Sequence, residues 1–163
     1  MLVETAVAFA TLLAAEPAMA LVHRVVFHGP LWCWHESHHA RPSARRLVRN
    51  DLLWLPVLVV AGALIVLGTP VAAGVGVGIA SYVTAYVVAH DGVAHGRFPV
   101  PRVLRRATFL RVVARTHRLH HRDGRGGRGA PPFAVYAAHL EHRWGLGAGY
   151  RPPTKVCAPA GAR

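Results

Sequence analysis

The sequence predicts an all-α integral membrane fold: a small helical bundle of three to four transmembrane helices with a histidine-rich cap on its cytoplasmic side. Three observations predict it. Residues 52–89 contain no Asp, Glu, Lys, Arg or His. All 19 Lys and Arg residues fall at or after Arg24. Ten of the 12 histidines fall into two copies of one short-range scheme.

The uncharged stretch is 38 residues long, about 57 Å as α-helix against a hydrocarbon core of roughly 30 Å. One crossing is too few for it and two fit. Gly68-Thr69-Pro70 is the concentrated breaker near its middle, so residues 52–67 and 71–89 are expected as a helical hairpin that crosses and returns. Residues 2–22 are a third apolar segment, interrupted by Glu4, Glu16 and Pro17. Ala18-Met19-Ala20 looks like a cleavage site, but Glu4 stands where a signal peptide needs positive charge, so cleavage is not expected.

A hairpin brings the chain back to the side it left, so residues 23–49 and 90–163 share one face of the membrane. Every Lys and Arg lies there, and the positive-inside rule assigns that face to the cytoplasm. The net charge of +12 is thereby read as an orientation signal, and no nucleic-acid partner is expected. Residues 102–115 place apolar side chains at helical spacing among Arg102, Arg105, Arg106 and Arg111, which predicts one basic amphipathic helix in the lipid headgroup region. Residues 122–129 form an Arg/Gly-rich flexible loop. Residues 1–150 are expected as a single domain, with 151–163 as a disordered tail. Two cysteines, Cys33 and Cys157, indicate neither a disulfide framework nor a paired-cysteine zinc site.

The histidine scheme is H-x4-H at His23 and His28, then H-x2-H-H at His35, His38 and His39. It recurs as H-x4-H at His90 and His95, then H-x2-H-H at His117, His120 and His121. Residues at i, i+3 and i+4 share one helix face, near enough to ligate one metal or bridge two. An i, i+5 pair does not share an α-helical face, so His28 and His95, each followed by Gly, are expected beyond the end of the helix that carries their partner. Imidazole suits iron, zinc and copper, and a metal removes the repulsion that so many clustered rings would otherwise suffer. His139 and His142 lack that context and are read as surface or capping residues. Asp91 and Glu36 adjoin ligand candidates and are placed either to orient their ring N–H groups or to act as helix-end charges.

The segments HRVVFHGPLWCWHESHH, HDGVAHGRFP and RTHRLHH resemble the histidine boxes of bacterial beta-carotene hydroxylases in the membrane fatty acid hydroxylase superfamily. The resemblance implies that His23, His28, His35, His38, His39, His90, His95, His117, His120 and His121 ligate two iron ions. It implies O2 as co-substrate, a ferredoxin-like donor of electrons, and hydroxylation of the beta-ionone ring of a carotenoid, beta-carotene passing through beta-cryptoxanthin to zeaxanthin. Such a substrate would enter sideways from the membrane lipids, and Trp32, Trp34, Trp54, Tyr82 and Tyr86, near that depth, either line its path or, as is commoner for aromatics there, anchor the interface. The competing readings are a hydroxylase, ketolase or desaturase of the same superfamily acting on a sterol, fatty acid or other lipid, and a non-catalytic membrane metal-binding protein. A transporter would place polar ligands near the bilayer midplane, where residues 52–89 have no ionisable group.

Overall fold

The computed structural model describes residues 1–40, 47–122, 131–138 and 140. The described residues are helical, with no strand among them. Helix α1 (Leu2–Val22) runs directly into a π-helical turn, His23–Phe27. Helix α2 (Trp32–Ala40) carries the first H-x2-H-H. After a 3-10 turn at Arg49–Leu53 come α3 (Trp54–Leu67) and α4 (Pro70–Tyr86), which continues into a second π-helical stretch, Val87–Ala94. Two further helices, α5 (Arg102–Arg106) and α6 (Thr108–Arg122), complete the ordered cap.

The expected hairpin is present. Gly68 closes α3 in the left-handed region at φ 75°, where a side chain would be strained. Thr69 then caps α4 by accepting the Ala72 N–H at 3.3 Å, and Pro70 supplies a preset φ in the first turn. Three helical segments are long and apolar enough to cross a membrane: Leu2–Phe27, Arg49–Leu67 and Pro70–Ala94. The return arm is therefore longer than the uncharged stretch alone indicates, because the helix carries His90 and Asp91 onward without a break.

Helix α4 packs against both α1 and α3, and its glycines explain how. A Cβ at Gly74 would lie 2.7 Å from the Glu4 carbonyl oxygen, and one at Gly78 would lie 2.6 Å from that of Ala8. A Cβ at Gly76, between them, would lie 2.5 Å from the Ala61 carbonyl oxygen on α3. Small residues at these positions let backbones meet where no hydrophobic force drives helices together in lipid.

Glu16, which interrupts the apolar character of α1, is fully partnered. Its carboxylate accepts the Tyr82 hydroxyl of α4 at 2.7 Å and the Tyr136 and Ala137 backbone N–H groups at 2.6 and 2.9 Å. An acid at this depth is costly unless paired. Here it ties the segment around Phe133 and Tyr136 across α1 and α4.

Three expectations are corrected. The amphipathic helix over 102–115 is two helices, because Ala107 is extended at ψ 123°. The redirection lets α6 pack on the second π-helical stretch and bury Val113, Ala114, His117 and His120, while Val103 stays outside. Cys33 is engaged in a disulfide, a bond that no spacing pattern announces. Of the expected loop over 122–129, Arg122 is instead the last residue of α6; the rest of it, the readings of His139 and His142, and the tail over 151–163 lie outside the described residues.

Candidate metal centre

The H-x4-H pairs are brought together by the backbone. At both copies the chain forms a hydrogen bond of the i to i+5 type, His28 N–H to His23 C=O and His95 N–H to His90 C=O, each 3.0 Å. Both second histidines do stand just past the helical segment, as expected, but the preceding turn is π-helical rather than α-helical. A π turn stacks residue i+5 over residue i, and such bulges are rare and concentrate at functional sites. The His28 and His23 Nε2 atoms are consequently 3.2 Å apart. Gly96, at φ 63°, then turns the chain away after His95.

The H-x2-H-H motifs divide their histidines. At about 100° per residue, i+4 lies roughly 40° to one side of i and i+3 roughly 60° to the other. His35 and His39 thus face one centre and His38 another. On α6, His117 and His121 face the second centre and His120 the first. The result is two groups of five: His23, His28, His35, His39 and His120; and His38, His90, His95, His117 and His121. Each takes four rings from one copy of the scheme and one from the other. Within each group the candidate ligand atoms lie within 4.8 Å of one another.

The nitrogen separations test whether a metal fits. In the first group His23–His35, His28–His120 and His39–His35 Nε2 pairs are 3.0, 3.2 and 3.1 Å apart. In the second, His117–His95, His121–His38 and His121–His117 pairs are 2.9, 3.1 and 3.0 Å apart. Metal–nitrogen bonds of about 2.1 Å give adjacent nitrogens about 3.0 Å apart at right angles and about 3.4 Å apart in a tetrahedron. The observed spacing is that of neighbouring corners of an octahedron, and five donors leave one corner open. The His90 Nε2, buried and without a hydrogen-bond partner, is the kind of orphan that a cation satisfies.

The outward-facing nitrogens are held by the fold. His23 Nδ1 donates to the Phe133 carbonyl at 2.8 Å, His35 Nδ1 to Asn50 Oδ1 at 2.7 Å, and His90 Nδ1 to Asp91 Oδ1 at 3.0 Å. Each bond places the proton on Nδ1 and leaves the Nε2 lone pair free for a metal. Asp91 performs the orienting role expected of it, and Glu36, among the described residues, does not. Asn50 and the Phe133 carbonyl were not foreseen, since neither adjoins a histidine in sequence.

Burial keeps the rings neutral. It is the largest cause holding His35, His38, His39 and His117 well below the ordinary imidazole range, with neighbouring imidazoles adding to it. His121 is pushed down to about 3, mainly by burial and then by His90 and His23. Neutral imidazole is the form that ligates.

An apolar cavity of about 420 Å³ lies between α1, α3 and α4, lined among others by Ala15, Ala18, Met19, Trp54 and Tyr82. It reaches Phe27, whose ring is 5.4 Å from that of His35. On its other flank Trp54 contacts Tyr86, which stacks on His90 with ring centroids 4.6 Å apart. Of the five aromatics expected near the substrate path, Trp54 and Tyr82 line this cavity. Tyr86 bridges to the second group, Trp32 is buried against His28 and His39, and Trp34 is partly exposed to the outside.

A family model described as Fatty acid hydroxylase matches residues 8–144, from within α1 through α6, including the ten histidines of the two groups. The chain belongs to the fatty acid hydroxylase family. This hydroxylase is similar to "Beta-carotene hydroxylase" of Pseudescherichia vulneris, at 37% identity over 97% of this chain and 92% of the relative. It is similar to the protein of the same name from Paracoccus sp. (strain N81106 / MBIC 01143), at 40% over 69% of this chain and 70% of the relative. The Pantoea ananas protein, also named "Beta-carotene hydroxylase", is 34% identical over 88% of this hydroxylase and 86% of its own length. No solved structure matches it.

Proposed function

We propose that this hydroxylase uses two iron ions and O2 to hydroxylate the beta-ionone ring of a carotenoid, taking beta-carotene through beta-cryptoxanthin to zeaxanthin. The observation that carries the reading is the pair of five-nitrogen groups beside an apolar cavity between the apolar helices, joined to it through Phe27 and through Trp54 and Tyr86. The names of relatives 34–40% identical to the chain supply the substrate class. The ten histidines are the metal ligands, and five donors with an open octahedral corner suit iron better than tetrahedral zinc.

When bound, the iron ions supply the oxidising power that no side chain has for an unactivated C–H bond, at the expense of O2 and two electrons from an external, ferredoxin-like donor. In net terms one oxygen atom enters the substrate as hydroxyl, and the other leaves as water after uptake of two protons and two electrons. The chain's own share is positioning. Asn50, Asp91 and the Phe133 carbonyl hold the rings in the ligating tautomer. The small side chains Ala15 and Ala18 leave room between helices, and Phe27, Trp54 and Tyr82 wall the cavity with aromatic surface that excludes water. A flat apolar ring fits such a slot, and its new hydroxyl then finds water at the interface.

Expression in a bacterium that accumulates beta-carotene should yield the 3-hydroxy and then the 3,3'-dihydroxy product on chromatography. Unchanged beta-carotene beside well-expressed, metal-loaded protein and a competent reductant refutes the substrate assignment. A C4 ketone moves the protein to the ketolases.

The metal cap faces the cytoplasm in this reading, at the inner membrane of a bacterial cell. The distribution of Lys and Arg supports that orientation. Thiol labelling tests it. In a background with Cys33 and Cys157 changed to Ser, Thr69→Cys should react with an impermeant reagent in intact cells and Arg105→Cys should not. The reverse pattern overturns the orientation.

A further inference from the structure

The 3-10 turn Arg49–Leu53, between the first two histidine boxes and the hairpin, belongs to no histidine motif. Yet two consecutive side chains on it reach both histidine groups. Asn50, itself buried, accepts the His35 Nδ1–H of the first group at 2.7 Å. The Asn50 backbone N–H is anchored on Ser37 Oγ of α2 at 3.2 Å. Asp51 accepts both terminal nitrogens of Arg97, at 2.7 and 2.6 Å. Arg97 in turn donates to Asp91 Oδ1 at 3.3 Å, and that same oxygen accepts the His90 Nδ1–H of the second group. Asp51 Oδ2 also accepts the Val48 N–H at 2.9 Å, closing the turn on itself.

We infer that Asn50 and Asp51 are paired positioning residues, one for each metal of the proposed two-metal centre. The inference rests on that proposal, since it assigns each residue to a metal. A bidentate arginine–carboxylate contact is geometrically specific, and the Arg97–Asp51 contact is largely removed from solvent. The His90 ring is therefore held by an Asp91 carboxylate that Arg97 and Asp51 fix in place. His35 is fixed by a single neutral bond. Because residues 50 and 51 are adjacent on one short turn, the supports of both groups share one anchor.

The test uses full-length protein in detergent and ferrous iron as the probe, with binding titrated at each group separately. His121→Ala leaves the first group as the complete one, and His39→Ala leaves the second. In the His121→Ala background, Asn50→Leu should weaken ferrous binding about tenfold or more, the usual effect of losing a partner behind a ligand. Asn50→Asp, which keeps an acceptor, should restore most of it, and Asp51→Asn should have less than a twofold effect. In the His39→Ala background the sensitivities should exchange, Asp51→Asn weakening binding and Asn50→Leu leaving it unchanged. Equal losses in both backgrounds, or failure of Asn50→Asp to restore binding, would mean that the turn merely supports the fold, and the inference falls. Should the parent chain bind fewer than two irons, the two-metal proposal itself fails. That outcome is read before any variant is made.

Discussion

His120→Ala is expected to reduce hydroxylation below detection while leaving membrane insertion intact. His120 is completely buried and supplies to the first group the one nitrogen that comes from the second copy of the scheme. Its Nε2 is 3.2 Å from that of His28, and its ring packs 4.7 Å from His23 and 5.3 Å from Phe133. Partners behind a metal ligand alone are worth about 10- to 100-fold in metal affinity, so removing a ligand costs more. Its helix, α6, lies outside the three spanning segments, so insertion does not depend on it. Product analysis and membrane fractionation check both halves, with His142→Ala, which lacks the H-x2-H-H context, as the mild comparison. Equal losses for the two variants would contradict the assignment of ligands.

The second large effect is on the bundle, and its sign should differ between two identical substitutions. Gly78→Ala puts a methyl group 2.6 Å from both the Ala8 carbonyl oxygen and the Thr11 Cβ. Backbone cannot yield as a flexible side chain can, so α1 must move away from α4. Overpacking of this kind costs about 1–3 kcal/mol. It also shifts the π turn at the end of α1, which carries His23, so bound metal should fall as well. Gly62→Ala meets nothing within 4 Å and should be neutral or stabilising by up to about 1 kcal/mol, because alanine is the better helix former. Unfolding of both variants in mixed micelles, followed by circular dichroism, measures the difference. A Gly78→Ala protein as stable as the Gly62→Ala protein would show that α1 is not held by this contact.

The hairpin was legible because two periodic apolar runs flank a Gly-Thr-Pro turn, and hydrocarbon leaves the backbone no alternative to helix there. The metal-binding character was legible because histidine at i, i+3 and i+4 has one geometric consequence on a helix, and the scheme occurs twice. What escaped was the arrangement within the site. A π turn is set by the insertion of one residue into a helical ladder, so H-x4-H spacing signals it only once the convergence of His23 with His28 is seen. The exchange of His38 and His120 between the two groups depends on how α2 faces α6, a tertiary relation without a local pattern. Asn50, Asp51 and Arg97 act across 15 to 46 residues of chain. The packing role of the α4 glycines has no local signature, and only the neighbouring backbones show why a side chain cannot fit. Glu16 read as a flaw in a membrane span, and its partners Tyr82 and Tyr136 are 66 and 120 residues away.

The proposed pair of metal sites, five histidines to each, is tested most directly by the metal content of the protein. Purified anaerobically and reconstituted with ferrous iron, the full chain should hold about two irons per molecule, because each group presents five nitrogens at the spacing of octahedral corners. A ratio of one, or a preparation that retains only zinc after the same treatment, would contradict it.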